Sequence, residues 1–248
     1  MVSRLGPSWQ WAWPLALGGC ALVVAAPGGY RTGVMPLAPA FLALLGGVLL
    51  SWLALVQSLI ALRRSAHSPA GRLRVVMAAG LAAATGIGPV LLLLPSLGFP
   101  AIHDITTDSG DPPRFAAVVA VRGAAANTLE YGGTAVAAAQ RAAYPELAPL
   151  TVSQSPTQTL GLAREAAEAM GWEIVAVDQG AGRLEATDTT FWFGFRDDIV
   201  VRVRSAADGA RVDVRSVSRV GVGDLGANAV RITSFLNRLA AAGRAPSE

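Results

Sequence analysis

The apolar and polar positions of this chain follow two different patterns. Before residue 98 the apolar residues form three long runs, at about 9–26, 37–62 and 73–97, and beyond residue 150 they alternate over short distances. The first run is near the minimum that crosses a bilayer. The other two, at roughly 25 residues and 1.5 Å per residue, are long enough to cross with some tilt. Within the third run Pro89 removes a backbone donor, which predicts a kink. Gly80, Ala84 and Gly88 recur every four residues there and predict a close helix contact. Residues 98–150 break the pattern. Pro100, Pro112, Pro113 and an Asp/Ser/Gly cluster exclude a long helix, so this part reads as an extended connecting arm, with one short helix over Gly133–Ala143.

From 151 to 248 the pattern predicts an α+β domain, with a short strand near Leu150–Val152 leading into it. Ser155-Pro156-Thr157-Gln158 has the residues of a capping box with proline at the first helical position, so a helix starts there and stops at Gly171. Four strands follow: Trp172–Val177, Arg183 to about Phe195, Ile199–Arg204 and Arg211–Ser218. Turns at Asp178–Gly182, Arg196–Asp198 and Ala207–Gly209 separate them. Val201, Val203, Val212 and Val214 point inward, and Arg202, Arg204, Arg211, Asp213 and Arg215 outward, which predicts a meander with one wet face. The last helix carries an apolar stripe at Leu225, Ala229, Ile232, Leu236 and Leu239, with Asp224 as its cap. The predicted fold class is three transmembrane helices followed by an antiparallel meander sheet covered by two helices.

Charge orients this plan. No acid precedes Asp104, and six arginines occur before it; all 17 acids and the other fourteen arginines follow. The connection between the second and third runs, RRSAHSPAGRLR, holds four arginines, whereas Gly28–Met35 holds one. Arginine-rich short loops stay in the cytoplasm. That places the amino terminus inside and residues 98–248 outside, in the periplasm of a Gram-negative cell, on an inner-membrane protein. Trp9, Trp11 and Trp13 form an interfacial anchor on the inner side. The basic pI of 9.7 reflects loops beside a membrane and not a nucleic-acid footprint. Cys20 is alone, and His67 and His103 lie in different regions, so neither a disulfide nor a metal centre is expected, and no cofactor. Asp104, Asp108 and Asp111 do not have calcium-loop spacing and read as a solvated turn.

Three places hold candidate chemistry. Gly221-Val222-Gly223-Asp224-Leu225-Gly226 leads into a helix amino terminus, where N–H groups and the helix dipole favour anions, and Arg215 and Arg219 precede it. Arginine forks suit phosphate, so a lipid headgroup or another anionic envelope component fits, with Asn228 tying the helix to the loop. Against this, Asp224 would compete for the same N–H groups, and Arg215 would pair with Asp213 or Glu185. The cluster Phe191, Trp192, Phe193 and Phe195 presents more aromatic surface than one core face needs. The excess is covered by the arm, dips into the membrane interface, or holds a ligand. Last, Asp188 with Asp197 or Asp198 would supply a carboxylate pair for a hydrolase, although adjacent aspartates also suit a turn. No histidine lies within the domain to activate a serine. The reading is a membrane-anchored envelope protein, non-enzymatic, whose outer domain binds lipid, an anionic component or an envelope protein through Trp192, Arg215, Arg219 and Asn228. An Asp-based envelope hydrolase is the alternative.

The segments TDTTFWFGFRDDIVVRVR and RVDVRSVSRVGVGDLGANAVRI, with HDITTDSGDPPRF and YPELAPL before them, resemble a bacterial family, domain of unknown function number 1499, over roughly residues 102–240. The resemblance implies a domain following a few membrane spans. It implies no activity, cofactor or catalytic residue.

Overall fold

The computed structural model describes residues 8–63, 69–94 and 98–244. Arg64 and His67 of the arginine-rich connection lie outside the described residues, as do the side chain of Trp9 and the predicted end of the third span at Leu97. The chain divides into two compact units: Met1–Leu97 with Trp192–Gly194, and Gly98–Phe191 with Phe195–Glu248.

The first unit contains three helices long and apolar enough to cross a membrane: α1 (Ala12–Arg31), α2 (Leu37–Arg63) and α3 (Pro69–Leu93). Helix α1 runs on through Pro27 past the predicted end at 26, because one proline removes a single intrahelical bond without stopping an apolar helix. Small residues let the helices approach. A Cβ added at Gly19 would stand 2.4 Å from Ser51 Oγ and 2.8 Å from the Gly47 carbonyl oxygen. Ser51 also bonds Thr85 of α3 at 2.8 Å. The expected stripe at Gly80, Ala84 and Gly88 is corrected. Helix α3 buries Val75, Ala78, Ala82 and Gly86 instead, and nothing lies within 4 Å of a Cβ added at Gly80 or Gly88. Both stripes hold small residues four apart; the packed one meets Ala12 and Ala16 of α1 and Ala54 and Ser51 of α2.

The second unit is α+β. Its sheet has six strands: β1 (Asp104–Thr106), β2 (Leu150–Val152), β3 (Glu173–Asp178), β4 (Arg183–Thr189), β5 (Arg196–Ala206) and β6 (Gly209–Ser218). All pairings are antiparallel, in the order β1-β6-β5-β4-β3. Strand β2 shares the edge with β1, pairing with Ala210–Val212 while β1 pairs with Arg215–Val217. Helix α4 (Gly133–Ala143) lies in the arm, where the sequence places it. Helix α5 (Pro156–Ala169) starts at the predicted capping box: Gln158 N donates to Ser155 Oγ, and Ser155 N to Gln158 Oε1. Helix α5 and helix α6 (Ala227–Ala242) cover one face of the sheet. Leu160, Ala163, Ala167, Ile232, Phe235 and Leu239 bury Leu184, Ile199, Val201, Val212 and Val214, and Trp172 stacks on Phe235 at 5.0 Å.

Four local expectations change. Strand β4 ends at Thr189 and residues 190–195 form a loop, where Thr190 Oγ1 accepts from Phe195 N and Gly194 sits at φ +71°. Arg196-Asp197-Asp198 is not a turn; it opens β5. The second face is not wet, since Glu185, Asp198, Asp213 and Arg215 are buried there. Leu225 precedes α6 and lies off its stripe, exposed, with φ +55°.

Candidate functional site

The second face of the sheet owes its dryness to residues 104–131, which lie over it, and arginine–carboxylate pairs make the attachment. Arg215 and Asp104 sit on neighbouring strands and form a bidentate pair, Nε to Oδ1 at 2.9 Å and Nη2 to Oδ2 at 2.7 Å. The same guanidinium donates to the carbonyl oxygens of Pro113 and Leu129 and lies over the rings of Phe115 and Tyr131 at 5.3 and 5.5 Å. Burial and the Asp104 charge push the Tyr131 phenol above its ordinary value. Arg215 is therefore a staple between the sheet and the arm, with its donors engaged.

Arg219 is engaged too. It grips Asp198 through Nε and Nη2 at 3.0 and 2.8 Å, Thr187 Oγ1 donates to the same carboxylate, and Arg122 completes the cluster. Asp198 is fully buried. Burial draws the Arg122 guanidinium below its ordinary value, with Asp198 opposing. Glu185, also buried, accepts the backbone N–H groups of Ala116, Ala117 and Val118 at about 3 Å and an Arg183 Nε at 3.0 Å. It thereby caps a short 3-10 turn at Val118–Val121.

On the helix-covered face, Arg231 of α6 bridges Asp188 and Asp197, at 2.7 and 2.5 Å, and its Nη1 reaches Asn228 Oδ1. Asn228 is fully buried, accepts from Ser216 Oγ and donates to Ser218 Oγ and the His103 carbonyl oxygen. Both carboxylates of the hydrolase alternative thus share one guanidinium, and Asp198 has two more. In each of them the carboxylate oxygens are occupied as hydrogen-bond acceptors.

In the glycine-rich loop the aspartate takes N–H groups at the start of α6. Asp224 accepts the N–H groups of Gly226 and Asn228, each at 2.9 Å, and burial still lifts its carboxyl above the ordinary value. Trp192 is half-exposed in the 190–195 loop and belongs to the first unit, whereas Arg215, Arg219 and Asn228 belong to the second. Its neighbour Phe193 is buried in the first unit, stacked on Phe41 at 5.2 Å and tilted against Tyr30 at 6.1 Å.

Of the arm's aspartates, Asp111 is exposed beside a turn, as expected, whereas Asp104 and Asp108 are not solvated. Asp108 accepts from Arg211 at 3.0 Å and from Arg202 at 3.3 Å, and Asp213 binds the same arginines and Arg204. Burial raises the Asp108 carboxyl, but the N–H groups of Asp111 and Gly110 with Arg211 and Arg202 outweigh it and hold it below the usual range. Sequence reading missed Arg231, Arg122 and Asp104 as partners. Arg231 had a signal, since it lies next to Ile232 and one turn from Asn228 and Phe235, on the side of α6 that is buried.

The fold and these pairs define a class: an α+β domain carried behind three apolar helices, with its central charges engaged in its own architecture. The family model described as Protein of unknown function (DUF1499) matches residues 104–239, more than half of the chain, and the chain belongs to that family. No curated protein matches the chain.

Proposed function

We propose that this is a non-enzymatic, membrane-anchored envelope protein whose outer domain rests an apolar rim on the lipid surface. One observation carries the reading: the loop Gly221–Gly226 exposes Val222 (80%) and Leu225, with Val230 (65%) one turn into α6. This loop packs on the residues that follow the third apolar helix. A Cβ at Gly226 would meet the Phe99 ring at 2.9 Å, and Asp224 N donates to the Ile102 carbonyl oxygen. Phe99 comes five residues after Leu94 in the sequence. Leu225 is the only non-glycine residue at positive φ among the described residues. Such a conformation costs of order 1–3 kcal/mol and is held where a side chain must point a particular way. Apolar side chains on a tethered loop gain roughly 25 cal/mol per Å² on leaving water.

The proposed location is the inner membrane with the domain in the periplasm. Arg63, Arg72 and Arg74 flank the connection between α2 and α3, and Arg31 alone ends α1, which supports that orientation. The test uses the full chain in lipid nanodiscs, with Cys20→Ala as background and an environment-sensitive fluorophore on Leu225→Cys. Blue-shifted emission quenched by brominated lipids is expected. Emission typical of water, unaffected by bromine, would sink the reading.

A further inference from the structure

We infer a small oxyanion site on the arm side of the sheet, separate from the apolar rim. A cleft of about 220 Å³ opens there between Pro113-Arg114 of the arm, the β3–β4 turn and β5, with Val200 as its floor. Arg114, Arg183 and Arg202 line it against a single acid, Asp111. Two donors on these residues lack acceptors. Arg114 is exposed and makes no hydrogen bond or ion pair among the described residues, unlike Arg122, Arg215 and Arg219. Arg202 uses both terminal nitrogens on Asp111, Asp108 and Asp213, yet its Nε is buried with no partner. A buried N–H left unmatched carries a desolvation cost.

The class of ligand follows from size and charge. The volume is below that of a typical small-molecule pocket, so the site takes a group and not an extended molecule. Arg183 and Arg202 are paired with carboxylates, and Arg114 adds a guanidinium without one, which favours an anion. The planar donors suit an oxyanion that accepts several N–H bonds at once, and a phosphate group, free or on a lipid headgroup, has that form. Arg183 is positioned from behind by Glu185 and Asp178, which leaves it a fixed wall of the cleft.

The test is titration of the full chain in a zwitterionic detergent at low salt, followed by calorimetry, with inorganic phosphate in one arm and short-chain phosphatidate in the other. Arg114→Ala is the decisive variant, because Arg114 supports nothing else and its loss leaves the fold intact, checked by circular dichroism. Arg202→Lys, which deletes the Nε–H while keeping the charge, is the second. Saturable binding that weakens about tenfold in Arg114→Ala is expected. Binding in the phosphate arm marks a free ion, and binding in the phosphatidate arm alone marks a headgroup. Absence of saturable binding in both arms, or equal binding by wild type and Arg114→Ala, overturns the site. Neither outcome bears on the fluorophore at position 225.

Discussion

At the scale of the residue, this domain differs from an ordinary α+β sandwich in the number of arginines it buries against carboxylates. Removing one partner of such a pair is far more damaging than exchanging both for apolar groups, because the remaining charge stays desolvated. Asp198→Ala strands Arg219 and Arg122 together, and an expected loss of about 3–5 kcal/mol follows. Urea unfolding of the full chain in detergent, followed by tryptophan fluorescence, measures it. Asp108 makes a prediction with a sign. Its folded carboxyl titrates below the unfolded value of about 3.9, so it binds fewer protons when folded. The stability it contributes is complete above that value and is lost as pH falls through the folded pKa. Asp108→Asn should therefore be less stable than wild type near about pH 6, with the gap narrowing towards about pH 2.5. A gap that widens on acidification would refute the assignment. None of these pairs could be paired off from the sequence. Alternation along β5 and β6 shows that Arg202, Asp213 and Arg215 share a face, but not that a proline-rich arm would cover it and turn a wet surface into a dry one.

Elements were more legible than contacts. The capping box at Ser155, the helix at Gly133–Ala143 and the hairpin before Gly209 each follow from a few local residues, and the structure has them where local chemistry places them. The boundary between β4 and β5 did not follow. Four aromatics in FWFGF have strong strand preference, but Gly194 at φ +71° breaks the ladder, and Asp197-Asp198, which suit a turn in isolation, are drawn into β5 by arginines distant in sequence. Among the apolar helices, small residues occur on more than one side of α3, so composition alone could not choose the packed side. The choice can be tested. Gly19→Val should disrupt packing with α2, since its Cβ would fall 2.4 Å from Ser51 Oγ, while Gly80→Ala should change little. Thermal unfolding of both variants in matched detergent reads the contrast, and equal behaviour would refute the packing.

For the whole molecule, the sequence carried the division into apolar helices and an α+β domain, because hydropathy and the absence of acids before Asp104 are one-dimensional signals. It did not carry how tightly residues 98–131 belong to the sheet. On the proposed topology, a periplasm-active reporter fused after Glu248 should be active, and a silent but well-expressed fusion would reverse the orientation. The edge strand β1 has a further, mechanical consequence. It starts only ten residues beyond Leu94, and its three ladder positions join the carboxy-terminal half of β6. Tension arriving along the chain from the apolar helices enters the sheet at Asp104, the residue that Arg215 clamps with two bonds. The arm is thus spliced into the domain as a strained rope is spliced into its fitting: a pull meets the packing of Phe99 and Ile102 and then a three-rung ladder and an ionic clamp.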